Sequence, residues 1–97
     1  AIAPEPGETF LVRVSGESMI NENIFDGDIL VVNRKEQPKP GQIVISSLNG
    51  EMTVKKYQII DNEIHLVSAN AKFLPIKILE MHNFQIQGVV KHVIRNV

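Results

Sequence analysis

Two dipeptides, Asn49-Gly50 and Asp61-Asn62, constrain this chain more than any other feature, because their residue types accept the backbone angles of a two-residue hairpin turn. They bracket Glu51–Ile60, which is therefore expected to run as a strand between Gln42–Leu48 and Glu63–Val67. Other short runs follow the same pattern: Phe10–Val14 before Ser15-Gly16, Ile29–Val32 opened by the turn signal Asp26-Gly27-Asp28, Ile76–Ile78, and the long segment Phe84–Ile94. In that last segment alternation sets Ile86, Gly88, Val90, His92 and Ile94 on one face and Gln85, Gln87, Val89, Lys91 and Val93 on the other. Only Glu17–Phe25, with Met19, Ile20 and Ile24 near helical spacing, suggests helix, and its length allows one or two turns. Arg34–Gly41 and Ser68–Pro75 read as loops, and there is no internal repeat. The pattern predicts an antiparallel all-β domain, a curled sheet or partly open barrel with one short helical turn.

At 97 residues and 43% hydrophobic content the chain supports one core, burying roughly 60–65% of its unfolded surface. Ala1–Thr9, with Pro4, Pro6 and Gly7, reads as an arm, so the domain is expected over residues 10–97. A net charge of −1 creates no field that would draw nucleic acid or an anionic membrane, and direct DNA binding is not expected. With no cysteine, disulfides, thiol catalysis and cysteine-ligated zinc are excluded, and a reducing compartment, the cytoplasm, is the expected location. The apolar runs fall far short of the ~20 residues that span a bilayer, and no signal peptide or anchor is visible.

Ser15-Gly16-Glu17-Ser18-Met19 places one hydroxyl in a small-residue turn and makes Ser18 a candidate nucleophile. A serine hydroxyl needs a base to take its proton and donors to receive an oxyanion. The backbone around Glu17, Ser18 and Met19, at the start of the helical turn, offers the donors. The nearest histidine, His65, is distant in sequence, which turns the search for a base to Thr53-Val54-Lys55-Lys56-Tyr57. A lysine acts as base only when burial among apolar neighbours keeps it neutral. Alternation puts Thr53, Lys55 and Tyr57 on one face and Met52, Val54 and Lys56 on the other, so one lysine can face the serine, and periodicity does not choose between them. Taken singly, a serine in a glycine turn is more often structural, and a strand lysine more often faces solvent. A route through His65, His82 or His92 with Asp26 or Asp28 lacks the second glycine of a nucleophile elbow. The histidines lack metal-ligand spacing, no cofactor or metal is called for, and Asp26 and Asp28 read as turn formers.

Taken together and in order, Ser15–Met19, Asp26-Gly27-Asp28 opening an apolar strand, and Thr53-Val54-Lys55-Lys56 after a hairpin resemble the LexA/UmuD family of self-cleaving serine proteins, from about Phe10 to the end. The resemblance implies Ser18 as nucleophile, Lys55 and not Lys56 as general base, a homodimer, and cleavage stimulated by the RecA filament on single-stranded DNA in the SOS response. The closing segments Ser68-Ala69-Asn70-Ala71 with Pro75-Ile76, and Gly88–Val93, are most similar to the UmuD branch, whose processed form joins a UmuC-type DNA polymerase in error-prone translesion synthesis. The self-cleavage and dimerisation domain of a LexA-like repressor is the alternative, and an inactive dimerisation or docking module is a third. Signal peptidases share a Ser-Met pair and a lysine base, but Asn21 stands where their proline is expected. The family cuts itself at a small-residue-Gly bond well upstream of the serine. Gly7 after Pro6, and Gly16 in the turn, do not fit, so a processed or truncated form unable to cut itself is expected. Phe84–Ile94, with Lys91 its only charge, is the apolar strand that dimerisation is expected to protect.

Overall fold

The computed structural model describes residues 7–96. Its strands are β1 (Thr9–Arg13), β2 (Ile29–Asn33), β3 (Ile43–Leu48), β4 (Glu51–Ile60), β5 (Glu63–Val67), β6 (Ile76–Lys77) and β7 (Phe84–Ile94), with one 3₁₀ turn, Ile20–Glu22, between β1 and β2. Asn49 and Gly50 take φ of 50° and 84°, and Asp61 and Asn62 take 52° and 63°. Positive φ at both central residues marks the type I′ turn, whose twist matches the strands it joins. The Asn49-Gly50 turn pairs Leu48 with Glu51, and the Asp61-Asn62 turn pairs Ile60 with Glu63. All pairings are antiparallel, in the order β1-β2-β7-β3-β4-β5-β6, and β1 does not meet β6, so the expected all-β fold is an open sheet. Of the nine-residue arm, residues 1–6 lie outside the described residues. Gly7 and Glu8 form a turn, and Thr9 already belongs to β1, opposite Asn33.

The sheet is stepped, since β7 pairs with β3 through Phe84–Val89 and with β2 through Val89–Ile94. Each half carries a bulge. Ile45 faces Gly88 while Ser46 faces Ile86, which leaves Gln87 as the extra residue; Val31 faces His92 while Val32 faces Val90, which leaves Lys91. One extra residue inverts side-chain parity beyond it. The single alternation expected for this strand is therefore corrected: Phe84, Ile86 and Val89 pack with Val44 and Leu66, whereas Val90 packs on the opposite side with Leu30, Val32 and Ile45.

Two apolar clusters result. One joins Val14, Met19, Ile24, Leu30, Val32 and Ile45, and the other joins Val44, Leu66 and Val89. Val44 and Ile45, adjacent on β3, belong to different clusters because a strand points successive side chains to opposite faces. The expectation that β7 is left for a second subunit to cover is also corrected. It lies centrally, between β2 and β3, and what remains open is one edge of each half, with Val93 and Ile94 exposed near its end.

Gly88 sits where the two sheet segments step past one another. A Cβ there would lie 2.6 Å from Val32 Cγ1 and 2.7 Å from the Asn33 carbonyl oxygen. Gly88→Ala should therefore lower stability by about 1–3 kcal/mol, the range of overpacked sites. Urea unfolding measures it, and an unchanged midpoint would show that β2 yields freely.

Candidate active site

The serine segment has little regular structure of its own, so its shape is imposed by partners. β1 ends at Arg13, and Val14 is then fixed by the turn at Asp26-Gly27-Asp28: its N–H donates to the Asp28 carbonyl and its carbonyl accepts from Gly27 N–H, both at 2.8 Å. Gly27 supplies that turn's positive φ of 86°, which a type II turn needs at its third position. Gly16, at φ 91°, reverses the chain, and its N–H donates to Asp26 Oδ1 at 2.8 Å. Ser15, Gly16 and Glu17 are exposed, Ser18 is half-buried, and Met19 is buried in the first core cluster. Met19 thus pins the segment while Ser18, one residue earlier, stays at the surface of the core. The 3₁₀ turn starts just after Met19 and is shorter than the helix expected over Glu17–Phe25. Neither the Ser18 nor the Met19 N–H finds an acceptor among the described residues.

Ser18 and Lys55 line the same cleft, of about 280 Å³, walled by Val14, Ile45, Thr53 and Val54. It opens where β4 has only one neighbour: Glu51–Lys56 pairs with β3, whereas β5 pairs with β4 only from Lys56 onward. Burial pushes the Lys55 ammonium below its ordinary pKa, with Glu51 partly opposing the shift. The Phe73 ring centre lies 5.8 Å from Lys55 Nζ. Lys56 goes elsewhere, to an ion pair with Glu22 on the 3₁₀ turn. The structure thus separates two lysines that alternation left equivalent.

A second loop grips the serine segment. Ala69 accepts from Asn21 N–H at 2.7 Å, and its own N–H points to Met19 Sδ at 3.4 Å. Buried Asn70 donates from Nδ2 to the Glu17 carbonyl at 2.8 Å. Sequence reasoning missed this contact, since an asparagine in an irregular stretch carries no mark of its partner. It also missed the ion pair of buried Asp28 with Arg95, which reaches both carboxylate oxygens at 2.8 and 2.7 Å and donates to the Asn23 carbonyl at 2.8 Å. Asp26 and Asp28 do form the turn, and each also holds a partner outside it. His65, His82 and His92 do not line the cleft. No three His, Cys, Asp or Glu side chains gather as metal ligands among the described residues, and none of their helices is long and apolar enough to cross a membrane.

An open antiparallel sheet presenting a serine on a glycine turn, in one cleft with a half-buried lysine, is a frame suited to peptide-bond chemistry. The chain belongs to the Peptidase S24-like family, whose sequence model matches residues 1–91. It is similar to proteins named LexA repressor: 43% identical over 93 residues in Pectobacterium carotovorum subsp. carotovorum and in Pectobacterium atrosepticum, and 42% over 90 residues in Syntrophotalea carbinolica. These alignments cover 95%, 95% and 93% of this chain but 46%, 46% and 45% of the relatives, so the chain spans about half their length. The relatives favour the LexA side of the family over the UmuD side to which the closing segments pointed. Within the closing segment, Gly88 is required by its approach to β2 and Val89 by the core, so these two residues report the architecture.

Arg95 holds Asp28 ionised. The Arg95 hydrogen bonds, then the Phe25 N–H at 2.8 Å, lower the Asp28 pKa to about 2 against the opposing effect of burial. A carboxylate depressed in the folded state adds stability that is present above its unfolded pKa of about 3.9 and is lost as pH falls towards 2. Arg95→Met should raise the Asp28 pKa and move acid unfolding to higher pH. Circular dichroism between pH 5 and pH 2 reads this, and an unmoved midpoint would show that Arg95 does not keep Asp28 ionised.

Proposed function

We propose that this chain is the self-cleavage and dimerisation domain of a LexA-like repressor, a serine peptidase acting on its own polypeptide with Ser18 as nucleophile and Lys55 as general base. The observation that carries the reading is the shared cleft, in which burial lowers the Lys55 pKa while Lys56 is engaged by Glu22. Neutral Lys55 takes the Ser18 Oγ proton as Oγ attacks the scissile carbonyl carbon, and the Ser18 and Met19 N–H groups receive the oxyanion. The ammonium then protonates the leaving amine, and water hydrolyses the acyl ester with Lys55 again as base. A scissile segment on the same polypeptide makes the attack intramolecular, with a large gain in effective concentration.

The repressor reading draws on the relatives' name. The rest of the proposal follows it: a cytoplasmic homodimer, and cleavage stimulated by RecA filaments on single-stranded DNA. The UmuC-type polymerase partner belonged to the UmuD reading and is not carried forward. Against an idle docking module stands the half-buried amine of Lys55 in the same cleft as Ser18.

In a form carrying its scissile bond, Ser18→Ala and Lys55→Ala should each abolish cleavage, since nucleophile and base act as a unit, while Lys56→Ala cleaves nearly as wild type. Gel electrophoresis of the fragments tests this. Without RecA the rate should rise with pH until Lys55 is neutral, from a midpoint below that of a free lysine. Cleavage by Lys55→Ala, or loss of cleavage only in Lys56→Ala, would overturn the assignment of the base.

A further inference from the structure

Asn70 is buried and polar, with both ends of its amide hydrogen-bonded, yet nothing in the sheet requires it. Its Nδ2 donates to the Glu17 carbonyl at 2.8 Å, and its Oδ1 accepts from Lys72 N–H at 3.0 Å. Its own carbonyl accepts from Phe73 N–H at 3.1 Å. The partner at Glu17 matters because its C=O and the Ser18 N–H belong to one planar trans peptide. Holding the oxygen fixes the rotation of that plane, and with it the direction of the Ser18 N–H. The only other hydrogen bond on that oxygen among the described residues is a long one, from Ile20 N–H at 3.4 Å.

We propose that Asn70 is a positioning residue for the peptidase reaction: by gripping the Glu17 carbonyl it aims the Ser18 N–H at the oxyanion. The neighbouring bonds of the same loop support this role. Ala69 binds Asn21 N–H and Met19 Sδ on the far side of Ser18, so the loop fixes the nucleophile segment on both flanks. Phe73, two residues beyond Ala71, brings the same loop over Lys55. One short loop therefore meets the donor, the nucleophile segment and the base. The inference rests on the peptidase reading above and specifies its oxyanion site.

The test is phosphonylation of the purified chain by a fluorophosphonate. Ser18 Oγ forms a bond to phosphorus, the P–F bond breaks, fluoride leaves, and the serine proton passes to Lys55; the phosphoryl oxygen takes the place of the oxyanion. Asn70→Asp keeps the acceptor for Lys72 N–H but sets an oxygen against the Glu17 carbonyl, and Asn70→Ala removes both groups. Each variant is labelled below its measured unfolding temperature and followed by intact mass across pH. Both should lower the plateau rate about tenfold or more, short of the ~10²–10³ that outright loss of an oxyanion donor costs, because the N–H is misaimed and not removed. In the uncharged variant Asn70→Ala the midpoint of the pH profile, which reports Lys55, should stay where it is in the wild type. An unchanged plateau in both variants overturns the inference, and so does a shifted midpoint in Asn70→Ala, which would place the effect on Lys55. A wild type unlabelled at Ser18, or a Ser18→Ala chain labelled equally, overturns the peptidase reading and this inference with it.

Discussion

The turn at Asp26-Gly27-Asp28 is the constraint on which the rest depends. Its backbone exchanges two hydrogen bonds with Val14, its first carboxylate takes the Gly16 N–H, and its second takes the Phe25 N–H and the Arg95 guanidinium. The end of β1, the bend before Ser18, the loop after the 3₁₀ turn and the end of β7 therefore share one anchor. A segment with only one short 3₁₀ turn of its own can hold a side chain in place only when its ends are fixed in this way, because backbone groups without a ladder must find partners elsewhere.

Lys55 sits under opposing demands. Half-burial makes its charged form unfavourable, which is what a base needs and what a folded protein ordinarily avoids. The cleft reconciles the two by opening at the end of β4 that lacks a second neighbour, where the amine keeps partial access to water and an aromatic face nearby. Lys56, one residue on, has a carboxylate partner in Glu22 and shows no such conflict. The difference between adjacent lysines is thus set by tertiary neighbours and not by strand position.

Much of the fold was legible because its turns are written in residue types: Asn49-Gly50 and Asp61-Asn62 fix three successive strands almost to the residue. The bulges of β7 were not, since Gln87 and Lys91 carry no mark of being unpaired; Gly88 inside an apolar strand was the available sign. Ser18 and Lys55 were legible as a pair only through the order of several motifs, and alternation alone left Lys56 equivalent. Asn70 and Arg95 were invisible as partners because their contacts, to Glu17 and Asp28, join residues far apart in sequence.

Those long-range contacts also put the cleft on a timetable. Ser18 precedes Lys55, the Asn70 loop and Arg95 in the order of synthesis, and each must arrive before the segment around Ser18 has its full set of supports. A nascent chain therefore holds the hydroxyl and the amine well before it holds the geometry that would let them react. The supports of Ser18 are complete only once β7, which carries the chain on to Arg95, has docked between β2 and β3.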